Sequence, residues 1–283
     1  MIFGFFTHKL CFALIKRFIV YTLILLFLYI LATNFIYFPS PYHDEPAKYW
    51  EDVYFSSGNS VVYGRYIKAK DGLPTVIFSH GNGGNAANWF PVAAEIHDKT
   101  GYGFLLYDYR GYGKSKGFTC EKNTYEDLRS AIKFVNNEKN IPNENIILYG
   151  ISVGGAVTAQ VASEQKFKGV ILHNTFTNIR DMAQTKLVQV FFFNSKNKFI
   201  NNFVYKIVYH LPMFQPFDTK NKIDKISSKL IIFHSKEDTM IPYTMSETLF
   251  LRNKSAKLIT GFYGDHNDFF ICSDMIVKSI LEF

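Results

Sequence analysis

The sequence predicts an α/β domain with a mainly parallel central sheet flanked by helices, interrupted by a helical insertion and preceded by an apolar N-terminal helix. Three observations predict it. After residue 50, short apolar runs alternate with longer helical patterns, which is the signature of βαβ units. One interval, 174–228, breaks that alternation. The stretch FIVYTLILLFLYILATNFIYF, from Phe18 to Phe38, carries no charge and matches the roughly 20 residues that span a hydrocarbon core.

The N-terminal part reads as a basic segment over 1–17, a transmembrane signal anchor over 18–38 and a Pro-rich linker over 39–50. Lys9, Lys16 and Arg17 precede the apolar stretch, whereas Lys48 follows it among Asp44, Glu45, Glu51 and Asp52. By the positive-inside bias, an uncleaved anchor leaves the N-terminus in the cytosol and puts the large domain on the non-cytosolic side of a single-pass membrane protein. Tyr37, Phe38 and Tyr42 then fall near the interface. A cleaved signal peptide is the competing reading. The apolar run exceeds the ~7–15 residues of a signal-peptide core, and no small-x-small pair closes it, which favours the anchor.

Residues 51–283 read as one domain without internal repeats. Strands are expected at Val61–Ala69, Thr75–Ser79, Gly103–Tyr107, Ile146–Tyr149, Gly169–His173, Lys229–His234 and Lys257–Thr260. Helices are expected at Asn85–Lys99, Thr124–Asn137, Gly154–Glu164, Tyr243–Arg252 and Asn267–Leu281. In the insertion, Phe199, Ile200, Phe203, Val204, Ile207, Val208 and Leu211 recur at helical spacing before Pro212, with Phe191, Phe192 and Phe193 upstream. Such a segment serves either as a cap over a cleft or as an amphipathic helix packed on the core.

Composition narrows the function classes. The chain is 48% hydrophobic and 19% charged with a formal charge of +7, so it is neither disordered nor collagen-like. Beyond the N-terminus its Lys and Arg residues are scattered, which argues against nucleic acid as a partner. Cys11, Cys120 and Cys272 are isolated and form no zinc-binding spacing. They read as small buried residues, with acylation of Cys11 a lesser alternative. No metal or organic cofactor is implied.

The chemistry is carried by short motifs. Gly150 to Gly154 is GISVG, between the strand-like NIILY and the helix-like GAVTAQVA. This strand-to-helix setting suits a nucleophile elbow, in which a sharp turn lifts a Ser hydroxyl clear of the sheet and glycines admit close backbone neighbours. A seryl oxygen needs a base, and the base needs an orienting acid. Asp238 in LIIFHSKEDTMIP and His266 in GFYGDHNDFF follow Ser152 in the order Ser, acid, His. Both fall on loops after strands, where sites of open α/β sheets collect. Asp265, Asp268 and Glu237 compete for the acid's role but read as turn-forming or solvated. His173, His210 and His234 precede the acid in the chain, or lie before it on the same strand end. For an oxyanion, the backbone N–H groups of Asn82, in His80-Gly-Asn-Gly-Gly84, and of Val153 are the expected donors. A phosphate loop is a poor reading of the same glycines, since no Lys-Ser or Lys-Thr follows. In YDYRGYG, from Tyr107 to Gly113, Asp108 and Arg110 read as loop-pinning residues.

Taken in order, HGNGGN, DYRGYGKSKG, GISVGG, HNTFTNIRDMA, HSKEDTMIP and GDHND resemble the membrane-anchored α/β-hydrolase group of the yeast bud-emergence proteins and their animal relatives, over roughly Val61–Phe283. The resemblance implies the α/β-hydrolase fold and serine hydrolase activity, with Ser152 as nucleophile, Asp238 as its acid and His266 as base. Ile151 stands where such proteins often carry Arg, and His173 where an acidic residue is usual, which bears on substrate rather than mechanism. A Ser at the elbow argues against chemistry that uses a carboxylate nucleophile. The expected substrate is a small-molecule or lipid-like acyl ester or thioester. A peptidase of the same fold and a catalytically silent membrane scaffold are the alternatives.

Overall fold

The computed structural model describes residues 12, 14–24, 26–27, 36–40, 49–192, 199, 202–203, 206, 215–260, 264–268 and 273–283. The chain divides into two compact units, 1–38 and 39–283. In the first unit the described positions from 12 to 27 are helical, and Phe12, Phe18, Tyr21 and Phe27 are exposed.

The expected transmembrane helix is overturned. Among the described residues no helix is long and apolar enough to cross a membrane. The described helical run 14–24 rises about 16 Å at ~1.5 Å per residue, against a hydrocarbon core of about 30 Å. By Phe38–Pro39 the backbone is already extended. The single-pass placement with a non-cytosolic domain, and a membrane partner through this helix, are corrected with it. Most of the expected linker, along with Cys11 and Cys272, lies outside the described residues.

The second unit is built on an eight-stranded sheet. Its strands are β1 (Glu51–Ser57), β2 (Ser60–Ile67), β3 (Thr75–Ser79), β4 (Gly103–Tyr107), β5 (Ile146–Ile151), β6 (Gly169–His173), β7 (Lys229–Phe233) and β8 (Lys257–Ile259). The spatial order is β8-β7-β6-β5-β3-β4-β2-β1. Strands β3 to β8 run parallel, and β2 pairs antiparallel with both β4 and β1. Every residue of β3, β4, β5 and β6 is buried, as a parallel sheet covered on both faces requires.

Helices α1 (Phe90–Thr100), α2 (Glu121–Glu138), α3 (Val153–Ala162), α4 (Ile179–Phe192), α5 (Tyr243–Arg252) and α6 (Ser273–Ile280) complete the unit. On one face Val76, Phe78, Phe104, Leu106, Ile147, Tyr149, Ile171, Ile231 and Phe233 pack with Val92, Ala93 and Ile96 of α1 and Ile276 and Ile280 of α6. On the other face α2 and α3 lie side by side and α3 rests on β5.

Several elements differ from expectation. β1 is an added edge strand whose inward residues are Val53, Phe55 and Ser57. The helix expected at Asn85 begins as a 3-10 turn over Ala86–Trp89, because the Asn85 side chain accepts from Ala87 N while Asn88 accepts from Asn85 N. Within the insertion, α4 forms over a stretch not expected to be helical. Phe199 and Phe203 are helical and exposed; the rest of the expected 199–211 pattern, and Phe193, lie outside the described residues.

A buried charge network ties the sheet edge to α2. Asp127 accepts from Ser57 Oγ at 2.7 Å, from Arg110 Nε at 2.7 Å and from Arg110 N at 2.9 Å, and Arg110 also reaches Glu126 at 2.8 Å. Arg110 thus pins the turn after β4, as its sequence setting predicts. Asp127→Ala would strand the mostly buried guanidinium, so we expect a loss of roughly 3–5 kcal/mol, read as a lower urea midpoint.

Candidate active site

β5 ends at Ile151 and α3 begins at Val153, so Ser152 alone makes the turn between them. Its φ of 54° and ψ of −118° lie in a region that side-chain-bearing residues avoid. The surroundings hold it there. Ser152 N donates to His173 O at 2.9 Å, and Thr175 Oγ1 donates to Ser152 O at 2.7 Å. A Cβ on Gly154 would overlap the Ser79 carbonyl, and one on Gly150 would overlap the Gly154 carbonyl, so both flanking positions admit only glycine.

The structure brings Ser152, His266 and Asp238 into one hydrogen-bonded line. His266 Nε2 lies 3.1 Å from Ser152 Oγ, and His266 Nδ1 lies 2.7 Å from Asp238 Oδ2. An ionised carboxylate only accepts, so Nδ1 carries the proton towards Asp238 and Nε2 is left to accept from the serine hydroxyl. The other carboxylate oxygen, Oδ1, accepts from Met240 N at 2.8 Å and Ile241 N at 2.7 Å.

The acid loop and the histidine loop are laced together. Ser235 Oγ donates to Gly264 O at 2.6 Å. Thr239 donates through both N and Oγ1 to Asp265 Oδ1 at 2.8 Å, and His266 N donates to the same oxygen at 2.7 Å. The Thr239 backbone donor, followed by that of His266, holds the Asp265 carboxyl below the usual carboxylate range. Asp268 Oδ2 accepts from Asp265 N. Asp265 and Asp268 therefore shape the turn, as expected of neighbours of the histidine.

Asn174 is the residue that sequence reasoning missed. Its Nδ2 donates to His266 O at 3.2 Å and its Oδ1 accepts from Ser235 N at 3.2 Å, so one side chain spans both loops. Its φ is 44°, a conformation that Asn tolerates better than other residues bearing a Cβ. An Asn directly after a buried strand was the available signal.

A cleft of about 340 Å³ opens over Ser152 and His266, lined also by Gly81, Asn82, Trp89 and Met240. Asn82 is held by Tyr112 Oη, which donates to its carbonyl at 2.7 Å. Val153 is the first residue of α3, where backbone N–H groups have no intrahelical acceptor. Beneath the glycine loop lie the rings of His80, Tyr109 and Tyr112, and Asp108 accepts from Ala86 N at 2.7 Å and Lys114 N at 3.1 Å. Burial pushes the Asp108 carboxyl up to about 6. Of the other histidines weighed as bases, His173 bonds Tyr149 Oη at 2.8 Å, His234 bonds Ser246 Oγ at 2.6 Å, and His210 lies outside the described residues. Neither described ring takes the place of His266 beside Ser152.

The alpha/beta hydrolase fold family matches residues 74–209, and the relatives include bud-emergence protein bem46 of Schizosaccharomyces pombe, 28% identical over 67% of this chain and 60% of that protein. The chain has the α/β-hydrolase fold. An uncharacterised Escherichia coli protein, YfhR, is 28% identical over 84% of the chain and 81% of its own length. The hydrolase-domain protein WAV2 of Arabidopsis thaliana is 26% identical over 83% and 78%. Among solved structures, the Pyrococcus furiosus esterase Pf2001 superposes with a TM-score of 0.67 at 18% identity, covering 88% of this hydrolase-fold chain and 98% of the esterase. A thioesterase domain from the curacin biosynthetic pathway gives 0.59 at 15% identity, covering 83% and 100%. These two likenesses speak for the fold.

Two predictions follow from the site's construction. Ser152→Gly relieves the unfavourable backbone conformation, so it should raise stability by about 1 kcal/mol, seen as a higher Tm. Burial lowers the His80 pKa from 6.5 to about 4, so between those values the unfolded chain binds the proton first and stability rises with pH. The contribution of the neutral ring is complete above about 6.5 and is lost as pH falls through about 4. His80→Asn should flatten Tm against pH across that window.

Proposed function

We propose that this α/β-hydrolase cleaves an acyl ester or thioester through a covalent acyl-enzyme. The observation that carries the reading is the continuous line Ser152 Oγ–His266–Asp238 at the floor of the cleft, with the serine on a strained turn. In the first step the Ser152 oxygen attacks the substrate carbonyl carbon as His266 Nε2 removes its proton, forming a tetrahedral oxyanion. Asp238 holds the ring in its Nδ1–H tautomer and balances the imidazolium charge. The backbone N–H groups of Asn82 and Val153 receive the oxyanion, a contribution of roughly 3–4 kcal/mol for each donor in related chemistry.

Collapse of the oxyanion breaks the carbon–oxygen or carbon–sulfur bond, and His266 gives its proton to the departing alcohol or thiol. Water then attacks the acyl-Ser152 carbonyl with His266 again as base, and a second collapse releases the carboxylic acid and restores the serine. An esterase and a thioesterase domain among the neighbours in fold agree with an acyl ester or thioester substrate. Trp89, Ile151 and Met240 offer apolar surface beside the serine.

Labelling with a fluorophosphonate probe tests the serine directly. Wild type should label, and Ser152→Ala and His266→Ala should not. On p-nitrophenyl acetate, Asp238→Asn should keep the fold and lower kcat by about 10⁴-fold, as loss of the correct tautomer does elsewhere. A folded wild type that neither labels nor turns over esters sinks the proposal and leaves a silent scaffold; turnover of peptides but not esters moves the reading to a peptidase.

A further inference from the structure

Asp238 is held on its Oδ1 side by two backbone amides, and its Oδ2 side faces two histidines rather than one. His266 Nδ1 lies 2.7 Å from Oδ2, and His234 Nε2 lies 3.5 Å from the same oxygen. His234 directly follows β7, four residues before the acid, and its side chain is completely buried. Its Nε2 is also 2.9 Å from the Ile241 carbonyl, and its Nδ1 is 2.6 Å from Ser246 Oγ in α5.

The chemistry of these partners fixes the state of the ring. A carbonyl oxygen only accepts, so Nε2 carries a hydrogen, directed at Ile241 O with Asp238 Oδ2 close by. Ser246 can donate, so it satisfies Nδ1 in a neutral ring. Burial, with the His266 charge acting in the same sense, holds His234 below the ordinary imidazole range, and the hydrogen bond to Ile241 and the charge of Asp238 oppose this. The groups facing the ring are Asp238 and Ile241 on its own loop, His266 on the neighbouring loop, His173 on β6, and Tyr243 and Ser246 on α5.

Resting on the reading of Ser152, His266 and Asp238 as a triad, we propose that His234 is a positioning residue that sets both the placement and the basicity of Asp238. Ile241 is the link. Its N–H donates to Asp238 Oδ1 while its carbonyl, in the next peptide group, accepts from His234, so the residue that grips the acid is itself gripped by the histidine. The same Nε2–H presents its positive end near Oδ2 without a formal charge. An Arg or Lys there would neutralise the carboxylate and weaken its hold on the His266 imidazolium; a neutral N–H dipole tempers the carboxylate and leaves that hold in place.

This makes the polar reach of the residue, not its bulk, the decisive property. Gln at 234 carries an amide N–H to about the position of Nε2, whereas Asn reaches only as far as Nδ1. His234→Gln should therefore behave like wild type. His234→Asn and His234→Leu should lower kcat for p-nitrophenyl acetate by roughly 10- to 100-fold, the cost of a misplaced catalytic group, with KM little changed. In both, a less tempered carboxylate favours the protonated His266, so the acid limb of kcat/KM should move upward by about half a pH unit.

The experiment pairs those profiles with the downfield ¹H NMR resonance of His266 Nδ1–H, assigned with His266→Gln and read with thermal midpoints. The proposal is supported if that resonance shifts or broadens in His234→Asn and is retained in His234→Gln at comparable Tm. It is overturned if all folded variants keep the wild-type resonance, or if Gln and Asn change it equally. The Asn and Gln pair keeps the comparison open should His234→Leu fail to fold. The resonance is read without turnover, so a wild type that fails to label with fluorophosphonate would sink the hydrolase reading while the His234 result still stands.

Discussion

The passage of the chain from β5 into α3, directly beside the end of β3, is the constraint on which the rest of this site depends. Gly154 lies against the carbonyls of Ser79 and His80, and Gly150 lies against the first turn of the helix that follows. No side chain fits at either point. The chain must turn within one residue, and that residue takes a backbone conformation of high energy. Ser152 is held in it because its N–H and carbonyl are both bonded, to His173 and Thr175 at the end of the adjoining strand. The hydroxyl is thereby fixed by backbone packing of the sheet, before any loop contributes.

The same crowding places the glycine-rich loop. β3 pairs in parallel with β5 from Thr75 to Ser79, so when β3 ends the chain emerges beside the elbow with His80 buried beneath it. Its carbonyls are spent downward: His80 O takes the Tyr109 hydroxyl and Asn82 O takes that of Tyr112. With the carbonyl of a peptide fixed on one side, the loop keeps a defined face towards the cleft. Asp108 braces the next stretch through Ala86 N. A carboxyl pushed up to about 6 and an imidazole pushed down to about 4 lie in this support, polar groups whose charged forms burial disfavours.

Much of this was legible in residues whose physical roles are local. Buried runs such as Thr75–Ser79, Gly103–Tyr107 and Gly169–His173 match their expected strands residue for residue, because a parallel strand covered on both faces must be apolar throughout. β1 was not legible: Glu51–Ser57 carries charge at its start and buries alternate residues only, and it is a strand through pairing with β2. α4 has a weak apolar face, so periodicity gave it no signal. The N-terminal run misled for a different reason. Hydropathy counts residues, whereas a membrane span needs a continuous helix of sufficient length, and among the described residues none is present. Ser152, Asp238 and His266 were expected from motif and chain order and are found in contact. Asn174 went unassigned, because a bridge between loops has no sequence period and depends on which loop ends meet in space.

That difference separates two kinds of construction within one site. The serine is fixed by close-packed backbone, where strain is distributed over sheet and helix and a single methyl group cannot be accommodated. His266 and Asp238 are fixed by hydrogen bonds between loops, through Ser235 to Gly264, Thr239 to Asp265, and Asn174 to both sides. Each of those bonds is modest alone, and their joint geometry defines the line from Asp238 to His266. The first construction tolerates change in almost no residue but leaves chemistry unspecified. The second can be altered one bond at a time, so adjustment of Asp238 and His266 can proceed in the loops without disturbing the elbow. On this fold Ser152 belongs to the scaffold, and His266 and Asp238 belong to loops that the scaffold only brings within reach.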